Sequence, residues 1–184
     1  MIFNQLPNLL SWLRIALTPL FLLSMALALQ DNTVAWYGVF VLYGFVALSD
    51  FLDGKLARRW NLETRFGQEL DIVADVIFIV SSAAFLTVQQ RLPLWVIPMI
   101  VLKLLEFRIT SHVLSAGNQP VFDPMGRVGA VLFYSIPLFA FVFQDSPAWV
   151  TWFLIVTLTV TLISSVTRVV ICFENLRRRR HADL

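Results

Sequence analysis

The sequence predicts an all-α integral membrane protein, a bundle of six transmembrane helices. Three observations predict it. Hydrophobic residues make up 58% of the 184 and charged residues only 14%, with a mean hydropathy of +0.76. That is too little polar surface to clothe a soluble domain of this size. Six apolar segments, each near the ~20 residues needed to cross hydrocarbon, run over 9–30, 33–53, 69–88, 92–113, 126–145 and 147–172. Basic residues gather in alternate connections rather than in all of them, as membrane topology requires.

The elements follow in order. Arg14 interrupts the start of the first apolar run. Ala26-Leu27-Ala28 after that run imitates a signal-peptide cleavage site, but no Lys or Arg precedes the run, so a retained first helix is expected. Gln30-Asp31-Asn32 separates it from the second segment, and the charged stretch 54–68 separates the second from the third. Gln89-Gln90-Arg91 precedes the fourth segment, which carries Lys103 and Glu106 three residues apart near its middle. The loop 114–125 leads to the fifth segment, and Asp145-Ser146-Pro147 to the sixth. Each span should be a continuous helix, because lipid cannot satisfy a free backbone N–H or C=O.

Lys55, Arg58, Arg59 and Arg65 in the second connection, and Arg177 to Arg180 near the C-terminus, place both on the cytoplasmic side, together with the N-terminus. Trp36, Trp95, Trp149 and Trp152 fall at the opposite interface, and Trp12 and Trp60 at the inner one. The net charge of +2 is thus distributed as helix flanks and does not form a nucleic-acid surface. Cys172, the single cysteine, can form no disulfide within the chain and reads as a small apolar residue. One membrane domain over 1–184 is expected.

Carboxylates are costly in such a chain and point to function. Asp50 and Asp53 lie near the inner end of the second helix, and Asp71 and Asp75 near that of the third. Spacings of three and four put each pair on one helix face. Gly54 and Ala57 continue the Asp50 face, and Gly67 begins the Asp71–Asp75 face. Two acidic stripes edged with small residues can therefore look at each other across a cleft. Four facing carboxylates repel unless cations sit among them. An all-oxygen donor set selects hard ions, Mg2+, Mn2+ or Ca2+, over zinc. Two such ions about 3.5–4 Å apart form a clamp for in-line displacement at phosphorus. The small residues let a nucleotide approach the helix backbone, and Arg58 can make a forked contact with phosphate oxygens. A divalent-cation transporter would also use intramembrane acids, but it gives no reason for Gly54, Ala57 and Arg58.

The residues read Asp50-x2-Asp53-Gly54-x2-Ala57-Arg58-x8-Gly67-x3-Asp71-x3-Asp75. This resembles in full the signature of the CDP-alcohol phosphotransferase family. Pro7-Asn8, Ser11 and Arg14 are similar to an N-terminal Pro-Asn…Thr…Arg element of bacterial members. The resemblance implies a site at the cytoplasmic interface of a bacterial inner membrane. There a phosphatidyl group would pass from CDP-diacylglycerol to an alcohol, releasing CMP, with Mg2+ or Mn2+, two ions in all. Asp50, Asp53, Asp71 and Asp75 would be metal ligands, with Asp75 also the base on the acceptor hydroxyl. Asp50, Asp53, Gly54, Ala57, Arg58 and Gly67 would hold the cytidine diphosphate. A homodimer is expected on the same ground.

Size and layout resemble bacterial phosphatidylglycerophosphate synthases, whose acceptor is glycerol 3-phosphate. Those usually read Asp-Pro-x-Ala-Asp-Lys where this chain reads Asp71-Ile72-Val73-Ala74-Asp75-Val76. Phosphatidylglycerol, inositol phosphate and serine are the alternative acceptors. Gly126-Arg127-Val128 is similar to a Gly-Lys-Val element of the same synthases. Arg127 and Arg168, and Arg108 beyond them, are the candidate acceptor-binding residues, with membrane anchoring as the competing role for Arg127 and Arg168. Lys103 and Glu106 either neutralise each other or line the acceptor pocket.

Overall fold

A computed structural model describes residues 6–59, 65–115 and 124–182. Within helices it leaves out some side chains, including those of residues 53–59 and 111–115. The described residues form six helices and no strand: α1 (Leu6–Ala28), α2 (Thr33–Arg59), α3 (Arg65–Val88), α4 (Val96–Ser115), α5 (Pro124–Val142) and α6 (Pro147–Ala182). They pack as two compact units, Met1–Val88 and Gln89–Leu184. Among the described residues, four helices contain stretches long and apolar enough to cross a membrane, Leu9–Ala28, Thr33–Leu52, Glu69–Val88 and Pro147–Glu174. The described apolar stretch of α5, Gly126–Val142, is shorter, and α4 carries Lys103, Glu106 and Arg108. Leu20, Leu23, Phe45, Val73, Ile163 and Val166 are all exposed on helices, as lipid-facing side chains are. The chain is an integral membrane protein.

Helix ends follow local chemistry and correct several expected boundaries. α1 stops at Ala28, two residues early, because Asp31 takes a left-handed conformation (φ 62°) that ends the helical path. Asn32 then caps α2, its Oδ1 accepting the Ala35 N–H at 3.0 Å. Gln90 (φ 58°) plays the same terminating part after α3. α4 starts at Val96 and not at residue 92: Pro93 has no N–H, and its carbonyl accepts the Val96 N–H at 3.1 Å. The fifth helix ends at Val142, short of the expected 145, and the sixth runs on past 172 to Ala182. The largest correction concerns 54–68. α2 stays helical to Arg59 and α3 begins at Arg65, so most of that charged stretch is helix. Lys, Leu, Ala and Arg are good helix formers, and charge ends a membrane span without ending a helix.

In the first unit, α1 buries a stripe at three- and four-residue spacing: Ser11, Arg14, Thr18, Phe21, Met25 and Ala28. Its apolar half packs on α2 and α3. Phe21 meets Phe78 with ring centroids 5.1 Å apart, and Tyr43 lies 6.2 Å from Phe78. Gly38 lets α2 approach α1 closely, since a Cβ there would stand 2.7 Å from Ser24 Oγ. In the second unit, Phe139 stacks on Phe153 at 4.2 Å, and Gly129 faces Thr161.

Candidate active site

The polar half of the α1 stripe builds the site. Arg14 is fully buried, flanked on its own face by buried Ser11 and Thr18. Its guanidinium enters a group of carboxylates from α2 and α3. Nη1 donates to Asp71 Oδ1 at 2.9 Å and to Asp75 Oδ1 at 2.6 Å, and Nη2 stands 3.1 Å from Asp50 Oδ1. Among the described residues Nη2 and Nε have no well-aligned acceptor, so the Asp50 contact is electrostatic and not a directional bond. The three carboxylates are only part-buried, at 43%, 36% and 32% exposure for Asp50, Asp71 and Asp75. They are open to a ligand on the side away from Arg14.

The helix faces explain the convergence. Asp71 and Asp75 are one turn apart on α3, with buried Leu70 and Ala74 turning that part of the helix inward. Asp50 follows buried Ser49 near the end of the apolar part of α2. One oxygen from each of Asp50, Asp71 and Asp75 lies within 4.8 Å of the others. A small hard cation bound at about 2.0–2.1 Å sets adjacent ligands about 2.9 Å apart and opposite ones about 4.2 Å apart. Modest side-chain rotation thus brings the three oxygens onto one ion. With all three carboxylates ionised and Arg14 counted, the group would carry a formal −3 + 1 = −2, which one divalent ion would balance. The donor set fits a hard divalent cation.

Of the residues expected at the site, Asp50, Asp71 and Asp75 are brought together. Asp53, Gly54, Ala57 and Arg58 lie on the α2 backbone, and their side chains lie outside the described residues. Gly67 is half-buried in the first turn of α3. Arg108 on α4 and Arg127 on α5 are exposed. Arg168 on α6 is buried, donates from Nε to Thr110 Oγ1 at 3.0 Å and lies 4.4 Å over the Phe107 ring. Arg14 was not expected at the site beyond its place in an N-terminal element. The signal was present: a lone arginine in an apolar run, with Ser11 and Thr18 on its face.

A family model described as CDP-alcohol phosphatidyltransferase matches residues 4–163, most of the chain. The chain belongs to the CDP-alcohol phosphatidyltransferase family. It is an enzyme of phospholipid biosynthesis that transfers a phosphatidyl group from a CDP-activated lipid to an alcohol. Among similar proteins is the CDP-diacylglycerol–glycerol-3-phosphate 3-phosphatidyltransferase of Bacillus subtilis, 33% identical over 173 residues, covering 81% of this chain and 88% of the relative. The cardiolipin synthase (CMP-forming) of Streptomyces coelicolor is 30% identical over 148 residues, covering 79% and 68%. A CDP-diacylglycerol–glycerol-3-phosphate 3-phosphatidyltransferase of Pseudomonas fluorescens is 42% identical over 91 residues, covering 50% and 45%. No solved structure matches significantly.

Proposed function

We propose that this enzyme transfers the phosphatidyl group of CDP-diacylglycerol to glycerol 3-phosphate, releasing CMP. The convergence of Asp50, Asp71 and Asp75 within the full family signature carries the reading of the chemistry. The Bacillus relative, matched over 88% of its length, supports the acceptor.

Asp50, Asp53, Asp71 and Asp75 hold Mg2+ or Mn2+, two ions, which neutralise the diphosphate and the departing CMP when bound. Asp75 accepts the proton of the acceptor hydroxyl. The freed oxygen attacks the phosphorus that bears the diacylglycerol, and the bond from that phosphorus to the CMP oxygen breaks. Asp75 suits this role because it is the more C-terminal carboxylate of the α3 pair and remains part-exposed, so an alcohol can reach it. Gly54, Ala57, Arg58 and Gly67 hold the cytidine diphosphate. Arg108, Arg127 and Arg168 recognise the acceptor phosphate, with Arg127 in the first turn of α5. The enzyme spans a bacterial inner membrane six times with both termini cytoplasmic, and works as a homodimer.

The test supplies purified enzyme with CDP-diacylglycerol and one acceptor at a time: glycerol 3-phosphate, phosphatidylglycerol, inositol phosphate or serine. Phosphatidylglycerophosphate should form with the first, stop with EDTA and return with Mg2+ or Mn2+. The Streptomyces relative favours one second reading, phosphatidylglycerol as acceptor. Cardiolipin as the only product would establish that reading, and metal-independent turnover would remove the carboxylate clamp.

A further inference from the structure

We propose that Arg14 is a built-in counter-cation that competes with divalent metal for the carboxylate oxygens. It would hold the acidic site together when metal is scarce and loosen its grip when metal binds. The inference rests on the phosphatidyltransferase reading of this site but not on the choice of acceptor. Two observations and one rule of electrostatics carry it. The Oδ1 atoms of Asp50, Asp71 and Asp75 all face the Arg14 guanidinium at 2.6–3.1 Å. Those three side chains are also the ones that can converge on a hard cation. A carboxylate oxygen held this closely by a cation cannot bind a metal ion equally well at the same time.

Arg14 is fully buried, and among the described residues its Nε and Nη2 have no aligned acceptor. A guanidinium placed only for helix packing would be expected to satisfy its forked donors. This one satisfies Nη1 alone and spends the rest on proximity to charge. It reaches both α2 and α3 from α1, so it ties the three helices through the carboxylates. Arg14 is therefore a positioning residue acting through Asp50, Asp71 and Asp75.

The experiment uses the full chain in detergent or nanodiscs. Thermal unfolding of Arg14→Gln and Arg14→Lys is compared with the natural protein, in EDTA and in saturating Mn2+. Mn2+ binding is titrated by the electron paramagnetic resonance of the free ion. Arg14→Gln should be destabilised in EDTA, recover at least half of that deficit in Mn2+, and bind Mn2+ about tenfold more tightly, because a repelling charge is gone. Arg14→Lys keeps the charge on a single centre and should recover most of the EDTA stability, with Mn2+ affinity near the natural value. An equal deficit with and without Mn2+, no deficit in EDTA, or weaker Mn2+ binding would each overturn the proposal. So would an Arg14→Gln protein that fails to fold even when prepared in Mn2+, since the metal should replace the lost charge. Neither readout uses the lipid donor or an acceptor. A wrong acceptor would therefore show in the turnover panel and leave this test unchanged.

Discussion

Removing one member of the Lys103–Glu106 pair should destabilise the enzyme far more than removing both. Lys103 Nζ donates to Glu106 Oε2 at 2.9 Å, and Ser165 Oγ donates to the same oxygen at 2.5 Å. Lys103 also reaches Ser165 Oγ at 2.9 Å and the Thr161 carbonyl at 3.3 Å. The ammonium thus has a partner for each of its three protons, all from α4 and α6. Exposure is only 13% for Lys103 and 23% for Glu106. Breaking a buried pair by deleting one partner costs about 3–5 kcal/mol, and the residual exposure here trims that to about 2–4 kcal/mol. For a chain of this length, each kcal/mol moves Tm by about 2–4 °C. Lys103→Met and Glu106→Gln should therefore each lower Tm by about 4–16 °C, and the double variant should lower it clearly less than either alone. The assay is thermal unfolding in detergent with a double-mutant cycle, run beside KM for the acceptor. The filled donors of Lys103 favour mutual neutralisation over acceptor binding, although Glu106 Oε1 is buried with no hydrogen-bond partner among the described residues and both side chains border a cavity of about 480 Å3 lined also by Trp95, Met99 and Leu162. Additive Tm effects with an acceptor KM raised tenfold in either single variant would refute the reasoning.

Three further outcomes are expected. Asp75→Asn should keep cytidine nucleotide binding and lose kcat by about 10²–10⁴, the usual contribution of a positioned base; substantial residual turnover with CDP-diacylglycerol would remove Asp75 from that role. Gly38→Ala should cost about 1–3 kcal/mol, because the new methyl meets Ser24 Oγ, which donates to the Ala35 carbonyl at 2.8 Å. Gly44→Ala has nothing within 4 Å of its new Cβ and should leave Tm unchanged or raised; equal losses at the two glycines would deny the close α1–α2 approach.

Much of the site was legible because it depends on helical spacing alone. Asp71 and Asp75 share a face by their four-residue separation, and Asp50 needs only a helix that runs to it. Arg14 was harder to read because its role depends on where α1 crosses α2 and α3, and spacing along α1 does not state that. Its burial at 0% exposure beside Ser11 and Thr18 is a tertiary fact. The charged stretch 54–68 shows a different limit. Hydropathy reports where lipid ends, whereas hydrogen bonding and propensity decide where a helix ends, and from Asp53 to Arg59 the two part company. Arg168 shows a third limit. A basic residue late in a span has the same appearance in sequence whatever it meets, and the contacts of Arg168 with Thr110 and Phe107 depend on how α4 and α6 pack.

The helical continuation past Leu52 explains how one site can serve two unlike substrates. Asp50 is followed on α2 by Asp53, Lys55, Arg58 and Arg59, and Asp71 on α3 comes just after Arg65 and Glu69, so both carboxylates lie where apolar sequence gives way to charged sequence. An alkyl-chain donor must present its phosphorus at that depth, because its acyl chains stay in hydrocarbon. A nucleotide leaving group must lie on the watery side, because a diphosphate and a sugar cannot be desolvated cheaply. Asp53, Gly54, Ala57 and Arg58 occur on the seven residues of α2 beyond Leu52, on helix and not on loop. A rigid helix crossing the boundary therefore carries lipid-depth and water-depth groups in fixed register, which a loop could not hold to the tolerance that displacement at phosphorus demands.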